Sequence, residues 1–327
     1  GQIETAAWRL SASLQRRYLS LTVGQAEHSG ECVRSQRRQS RWRAIAAWAL
    51  AVSTIAVPQV TASQTAAAMA DGPAGAAWVI RSIYPTEFGF AEPAGVAFIP
   101  GPDELVTIGK PDGTEVGRLT LTEDAVGAFP TDLQVSDLSA VAFDAVRDRL
   151  VIIDSDDGEL VGFTGDGIRG SGEAPASRAG LAALGLGQVR GSAFDPSTGA
   201  LLALDATGRR IVRIEPGVAG SGLLDDLVAG DVSFVPLQGV PGADLRGLAL
   251  DDITGNLFLA DSAGNNLYEV DASGRLVSQH DLSASGIRFV AGVTLGPSGD
   301  PTDDPEARSL YFVDAGAASG EPSSTLL

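Results

Sequence analysis

Apolar and polar positions recur along residues 95–327 in one repeating unit of short strands. The clearest copy runs from Arg246 to Gly274 and reads RGLALDDITGNLFLADSAGNNLYEVDASG. A small residue opens it, an apolar strand follows, and a second strand ends in Asp before a turn and a third strand. Continuous apolar runs such as Leu150–Ile153 and Leu257–Ala260 are typical of strands buried on both faces. The pattern predicts an all-β fold, and residues 71–327 show no convincing helical period.

The spacing of the copies predicts a β-propeller. The large apolar residue of the first strand recurs at steps of 45, 51, 56 and 45 residues, and the Asp that ends the second strand at steps of 51, 56 and 53. These positions are Phe98, Phe143, Phe194, Leu250 and Leu295, with Asp154, Asp205, Asp261 and Asp314. A period of about 50 residues with three or four strands in each unit is the signature of a propeller blade.

The ends of the repeat region predict how the ring closes. Ala77–Ile83 has the pattern of a fourth strand without its own blade, and Ser323–Leu327 that of a third strand. Placing both in the last blade would remove the open sheet edges. We therefore expect five repeats in a five-bladed ring closed by an N-terminal strand, with six blades as the alternative if the chain is part of a longer protein. The short interval between Ile108 and Thr114 predicts a three-stranded first blade.

Charge separates an N-terminal segment from the repeats. The first 70 residues hold eight Arg and three Glu, and the rest hold 15 basic and 38 acidic residues, a net charge of −23 within a total of −18. An arginine-rich stretch, the 14-residue apolar run Ala44–Val57 and a small-residue stretch ending at Ala70 have the form of a signal peptide. The run is short for a membrane span. An uncleaved anchor is the alternative interpretation.

These features predict three segments. Residues 1–32 are expected to be read-through or disordered, residues 33–70 a signal peptide cleaved before Asp71, and residues 71–327 the propeller. The only cysteine, Cys32, lies outside the mature chain, which fits export to an oxidising compartment. We expect a secreted, extracellular protein without a stable membrane span after cleavage. Its acidity excludes nucleic acid as a partner, because phosphates are bound by clustered Lys and Arg.

The unit at Gly247–Gly274 resembles the NHL-repeat propellers through the segments GLALD, GNLFLADS and GNNLYEVD. More loosely, residues 77–327 resemble the gluconolactonase- and strictosidine-synthase-like propellers. Such folds include binding scaffolds as well as lactonases and esterases, so the resemblance fixes no chemistry. The gluconolactonase-like families hold Ca²⁺ at the channel through a Glu near the first strand, a position that Glu92 matches in kind. At later blade starts, however, this sequence has Arg190 and Arg246, which would oppose a cation.

Arginine at these blade starts predicts an anion site. Arg190 and Arg246 each precede the first strand of a blade, and Arg288 stands two residues earlier in the last blade. Equivalent blades would bring them to one mouth of the channel, where guanidinium groups bind carboxylate or phosphate. The alternative is that they pair with Asp residues of neighbouring blades.

Two further groups of polar residues carry weaker predictions. Asp300, Asp303, Asp304 and Glu306 lie close together in the insertion PSGDPTDDPEA and form either a Ca²⁺ site or a solvated acidic loop. His280 is the only histidine of 71–327, and its neighbour Asp281 would point to the opposite face of a strand. A serine–histidine triad is therefore not expected.

Together these observations favour a binding or interaction module, alone or within a larger extracellular protein, with a protein or a small anionic molecule as its partner. The alternative is a Ca²⁺-dependent hydrolase of lactones or esters. Whether the protein is an enzyme stays open, with the sequence favouring a non-enzymatic role, and Ca²⁺ is the cofactor that the acidic positions would bind.

Overall fold

The computed structural model describes residues 2–6, 81–83, 93–109, 114–121, 125–131, 138–165, 168, 177–218, 220 and 222–315. The predicted signal peptide at 33–70, Glu92 and Ser323–Leu327 lie outside these residues. Within them, no helix has the length and apolar character needed to cross a lipid bilayer.

The described residues form twenty strands and one four-residue helix, α1 (Asp225–Val228). The strands are β1 (Gln2–Ala6), β2 (Arg81–Ile83), β3 (Pro93–Ile99), β4 (Glu104–Gly109), β5 (Thr114–Thr120), β6 (Ala125–Thr131), β7 (Leu138–Asp144), β8 (Arg149–Asp154), β9 (Glu159–Thr164), β10 (Ser177–Gly180), β11 (Val189–Phe194), β12 (Leu201–Asp205), β13 (Arg210–Glu215), β14 (Asp231–Pro236), β15 (Leu245–Leu250), β16 (Leu257–Asp261), β17 (Asn266–Val270), β18 (Leu276–Asp281), β19 (Val290–Pro297) and β20 (Arg308–Asp314). Short 3-10 turns lie at Leu181–Leu184 and Ser283–Ser285.

The strands pair into antiparallel four-stranded sheets in the manner of propeller blades. Sheet 1 contains β3–β6, sheet 2 β7–β10, sheet 3 β11–β14 and sheet 4 β15–β18, each in sequence order. The prediction of an all-β propeller is confirmed. The prediction of a three-stranded first blade is wrong, because β5 pairs with β4 and β6 pairs with β5, which gives sheet 1 four strands.

A further sheet, sheet 5, combines strands from distant parts of the sequence in the order β19-β20-β1-β2. Its third strand is β1, in which Ile3 pairs with Val313 of β20 on one side and with Ile83 of β2 on the other. These five residues therefore differ from our expectation that 1–32 carries no fold. The position they occupy is the one that the sequence suggested for Ser323–Leu327.

The first strands of the sheets, β3, β7, β11, β15 and β19, contact one another in that order, and β19 also contacts β3. Glycine permits this approach. A Cβ on Gly191 would lie 2.5 Å from the carbonyl carbon of Gly247, and one on Gly247 2.7 Å from the backbone nitrogen of Val293. A Cβ on Gly292 would lie 3.0 Å from the Cα of Gly95. The small residues that open each repeat are therefore needed where the strands crowd the axis.

Apolar clusters lie between neighbouring sheets and form the core. Strand β8, for example, is buried along its whole length, as expected for a strand covered on both faces. Separate clusters join sheets 1 and 2, 2 and 3, 3 and 4, and 4 and 5. Another joins sheet 5 to sheet 1 through Tyr311 and Val313, which pack with Val96, Leu105 and Leu119. Each buried side chain of this size contributes roughly 1.5–3 kcal/mol by leaving water.

The repeated Asp at the end of each second strand stabilises turns. Asp154 accepts hydrogen bonds from the backbone N–H groups of Asp156 and Asp157. Asp314 accepts them from Arg288 and Phe289, in the loop that leads into β19. These buried carboxylates thus supply backbone hydrogen bonds that the tight turns cannot make internally.

Candidate functional site

Each first strand carries a β-bulge at the same end of the axis. The register shifts lie between Pro93 and Gly95, Leu138 and Ala140, Val189 and Ser192, Arg246 and Leu248, and Val290 and Gly292. A bulge bends the strand locally and redirects a side chain. In each first strand, one residue directly follows the residue that is paired to the end of the second strand. In β15 this residue, Arg246, is itself paired to Ala260 and the unpaired residue is Gly247. We call these five residues the axial ring: Ala94, Ser139, Arg190, Arg246 and Ala291.

The axial ring is asymmetric. Its two arginines come from the neighbouring strands β11 and β15, whose backbones meet at Gly191 and Gly247. The other three members have small side chains. The two arginines therefore stand on neighbouring strands. The anion site that the sequence predicted for the channel mouth stays a prediction.

Arg246 is held in place by two contacts. Its Nε donates to Oδ2 of Asp244 at 2.9 Å, and its guanidinium carbon lies 4.6 Å from the centre of the Phe289 ring. Both contacts restrict the plane of the guanidinium group. Its side chain is 23% exposed, and its Nη atoms make no hydrogen bond within the described part of the chain.

Arg190 is the less restrained arginine. It is half-buried, and among the residues that the structure describes it has no hydrogen-bond or ion-pair partner. A guanidinium group carries five N–H donors and no acceptor. The two arginines together therefore offer unused donors to an acceptor from outside.

Arg288 is not a member of the axial ring. Its side chain is exposed, and its backbone N–H is bonded to Asp314. It is the chain neighbour of Phe289, so it lies near Arg246 at the edge of the same mouth. Glu92 falls outside the described residues, and its predicted role stays a prediction.

The carboxylates of the acidic insertion form hydrogen bonds within their own turns. Oδ1 of Asp300 accepts from the backbone and hydroxyl of Thr302, and Oδ2 of Asp303 accepts from the hydroxyl of Ser298. Oδ1 of Asp304 accepts from the backbone N–H of Glu306. Within the described residues, no three His, Cys, Asp or Glu side chains come together to hold a metal ion. The calcium site at Asp300, Asp303, Asp304 and Glu306 stays a prediction.

Ser192 is a site residue that the sequence analysis missed. The equivalent positions next to the axis are Val96, Val141, Leu248 and Val293, all apolar. Ser192 is 7% exposed, and its Oγ is buried without a hydrogen-bond partner. The signal was present in the repeat, because GSAF of the third unit replaces an apolar residue by serine where the other units have Val or Leu.

The axis beside Ser192 is narrow. Ser192, Ser139 and the glycines of the first strands line a space that admits about one water molecule. The hydroxyl of Ser139 is already engaged with Ser155 Oγ at 2.7 Å and the Ile153 carbonyl at 3.1 Å. Ser192 is thus the lining hydroxyl with unused hydrogen-bonding capacity.

His280 lies away from this site, on the outermost strand of sheet 4. Its Nε2 is 2.9 Å from the Ser278 hydroxyl, which also donates to Glu269 at 2.8 Å. Burial lowers the pKa of His280, and the Glu269 carboxylate opposes that shift. The Asp281 carboxylate accepts from the backbone N–H of Ser283.

A second feature missed by the sequence analysis is a buried ionic network. Arg149 donates to both carboxylate oxygens of Asp226 at 2.6 and 2.7 Å, and to Asp144 at 3.0 Å. All three side chains are at most 3% exposed. The network ties α1 to the first turn of sheet 2, so its role is structural.

The sequence matches no family model and no curated protein. Similar solved structures include the nidogen/laminin complex, with 16% identity and a TM-score of 0.44 over 68% of this chain and 72% of that chain. A catalytically inactive virginiamycin B lyase from Staphylococcus aureus with quinupristin has 12% identity and a TM-score of 0.39, over 67% of this chain and 65% of that one. The β-propeller domain of Myceliophteria thermophila Cps50 (Swd1) has 13% identity and a TM-score of 0.38, over 64% and 60%. The chain spans less than two thirds of the last two, and the similarity concerns the fold alone.

Proposed function

We propose that this protein is a secreted, five-bladed β-propeller that binds an anionic group of its partner at the axial ring. The observation that carries the proposal is the pair Arg190 and Arg246. They arise from adjacent strands at one end of the axis, and within the described residues only Nε of Arg246 is hydrogen-bonded. Donors grouped without acceptors favour a ligand that carries acceptors and negative charge.

Five blades are supported by the packing of sheet 5. It contacts sheet 4 on one side and sheet 1 on the other through buried apolar side chains. The strand β1, drawn from the N-terminus, completes this sheet beside β20. We propose that a third strand in sheet 5 closes the ring, supplied by β1 before the signal is cleaved.

The proposal of secretion rests on the arginine-rich and apolar pattern of residues 33–70. Cleavage before Asp71 would remove β1 together with the signal, and Ser323–Leu327 would then be the segment left to supply the third strand of sheet 5. N-terminal sequencing of the native product is expected to begin at Asp71. Recovery of a peptide from residues 1–32 would contradict the proposed cleavage before Asp71.

The binding proposal is tested with a labelled hexaglutamate peptide and fluorescence polarisation. We expect Arg190→Gln and Arg246→Gln each to weaken binding about tenfold, because each removes charge-assisted hydrogen bonds. Arg275→Gln is the matched control. It removes the same charge from a side chain that is 72% exposed and paired with Asp271.

The comparison with Arg275→Gln separates a defined site from a general effect of charge. Equal affinities of all three variants would contradict the proposal. Hexaglutamine, which has the same length and no charge, is expected to show no binding to the unaltered protein.

A further inference from the structure

The connection between β13 and β14 is a long surface insertion, which we call the α1 insertion. It spans fifteen residues, 216–230, where the same connection in sheet 4 has five, 271–275. It leaves sheet 3 and packs on sheet 2, because a Cβ on Gly162 of β9 would lie 2.9 Å from Leu224 and 3.1 Å from Leu223. Long surface connections carry function more often than short ones do.

The buried ionic network holds the α1 insertion at a fixed place. Asp226 binds Arg149 through both carboxylate oxygens, and Nε of Arg147 lies 3.1 Å from Oδ2 of Asp226. The carbonyl of Asp226 accepts from the backbone N–H of Gly217 at 2.8 Å, which fastens the first part of the insertion to α1. The residues next to these groups therefore have defined positions on the surface.

Three exposed valines surround this network. Val218 and Val228 belong to the α1 insertion, and Val146 lies in the β7–β8 turn next to Arg147. Val218 is 90% exposed, Val146 52% and Val228 48%. Each valine is one or two residues from a group that contacts Asp226 or from Asp226 itself, so all three arise from one small region of the surface. We call these three residues the valine patch.

The charge of this region favours a cationic partner. The segments 144–149 and 222–230 hold two arginines and four aspartates, a net charge of −2: Arg147, Arg149, Asp144, Asp148, Asp225 and Asp226. Both arginines are paired with the buried carboxylates of Asp144 and Asp226. Asp148 and Asp225 are exposed, so the charge presented to a partner is negative. Complementary charge steers association and selects between partners.

We infer that the valine patch is a docking surface for a cationic segment of a partner protein that also carries aliphatic side chains. The aliphatic side chains would cover the valines, and Lys or Arg of the partner would face Asp148 and Asp225. The surface is separate from the axial ring. It lies at the opposite end of β7 from Ser139, because the β7–β8 turn follows Asp144 whereas Ser139 stands near the start of the strand.

The test uses the full chain and a labelled amphipathic peptide of lysine and leucine, with fluorescence polarisation as the readout. We expect Val218→Ser and Val228→Ser each to weaken binding about fivefold, because each removes apolar surface that the leucines would cover. Val277→Ser is the matched control. It removes a valine that is 54% exposed on β18, the outermost strand of sheet 4, and should bind as the unaltered protein does.

The contribution of charge is tested by Asp225→Asn, which should weaken binding about threefold because a carboxylate facing the peptide is removed. Asp156→Asn is the matched control, since it removes an exposed carboxylate from the β8–β9 turn at the other end of sheet 2. A peptide of glutamate and leucine with the same pattern should bind about tenfold more weakly than the lysine and leucine peptide.

Equal affinities of Val218→Ser, Val228→Ser and Val277→Ser would overturn the inference, as would equal affinities of Asp225→Asn and Asp156→Asn or of the two peptides. Val218→Ser should unfold at the same temperature as the unaltered protein, because its side chain is 90% exposed. Arg246→Gln should leave the affinity for the lysine and leucine peptide unchanged. Weaker peptide binding in Arg246→Gln would place the peptide at the axial ring and would also overturn the inference.

Discussion

His280 couples folding to pH at the scale of a single residue. It lies half-buried on β18 beside Ser278, and burial lowers its pKa below the ordinary value of 6.5. The nearby Glu269 carboxylate favours the charged form but does not outweigh burial. The folded protein therefore binds this proton more weakly than the unfolded chain does.

Stability should consequently fall as the pH drops through 6.5 toward the lower pKa of folded His280, and then level off. In this range the unfolded state binds more protons, so the free energy of unfolding decreases as the pH falls. His280→Gln should remove this part of the decrease, as measured by urea unfolding at about pH 7.5 and about pH 5.5. An unaltered slope in the variant would contradict the assignment.

The Asp195 carboxylate affects stability in a lower pH range than His280 does. Burial raises the pKa of Asp195, but hydrogen bonds from Ser197, Arg213 and Thr198 outweigh it and hold the value at about 2. The contribution of Asp195 to stability is present above the unfolded value near 3.8 and is lost as the pH falls toward about 2. It therefore does not overlap the His280 range.

At the scale of elements, the Arg149 network fixes α1 against sheet 2. The helix lies between β13 and β14 in the sequence, and Asp226 reaches back to Arg149 at the start of β8. A single turn of helix has no stability of its own. Its position therefore depends on this ion pair and on the buried Leu227.

We predict that Asp226→Ala lowers the free energy of unfolding by about 3–5 kcal/mol, because the buried Arg149 guanidinium loses its bidentate partner and keeps only Asp144 as a carboxylate partner. Urea unfolding would measure the change. Asp252→Ala is the control, since its pair with Arg308 is about one-third exposed on both sides and should contribute at most about 1 kcal/mol.

The double variant Arg149→Met with Asp226→Leu distinguishes the buried charge from lost packing. The Asp144 carboxylate keeps its hydrogen bonds from Val146 and Arg147 in this variant, so the variant should regain most of the stability lost in Asp226→Ala. A double variant as unstable as Asp226→Ala would show that packing, rather than the buried arginine without its bidentate partner, sets the cost.

At the scale of the whole molecule, the packing of the sheets depends on how closely the first strands approach one another. The contact of Gly191 with Gly247 is continued by Gly247 with Val293 and by Gly292 with Gly95. Displacement of one of these strands shifts its neighbours. Side-chain volume at any of these contacts should therefore affect the entire propeller.

We predict that Gly191→Ala severely destabilises the protein, because its Cβ would lie 2.5 Å from backbone that cannot yield independently. Gly180→Ala is the control. Its backbone is extended and no atom lies within 4 Å of the new Cβ, so its unfolding temperature should be unchanged. Thermal unfolding of both variants tests the prediction, and similar temperatures for the two would contradict it.

The sequence by itself determined the repeat, because blades packed on both faces need apolar strands, small residues at the axis and Asp at the turns. It also placed Arg190 and Arg246 at equivalent positions, since equivalence follows from spacing alone. The fourth strand of the first blade escaped this reasoning because the interval between Ile108 and Thr114 is too short to indicate one more strand, whereas β5 begins only at Thr114.

Only the tertiary structure decided which distant residues form hydrogen bonds or pair as strands. It separated the carboxylates of the acidic insertion into individual turns, paired Gln2–Ala6 with β20, and joined Arg149 to Asp226 across 77 positions. It also showed that the hydroxyl of Ser192 is buried without a partner. Periodicity reports which face of a strand is buried, whereas hydrogen-bond partners from distant segments are fixed by the way the sheets pack around the axis.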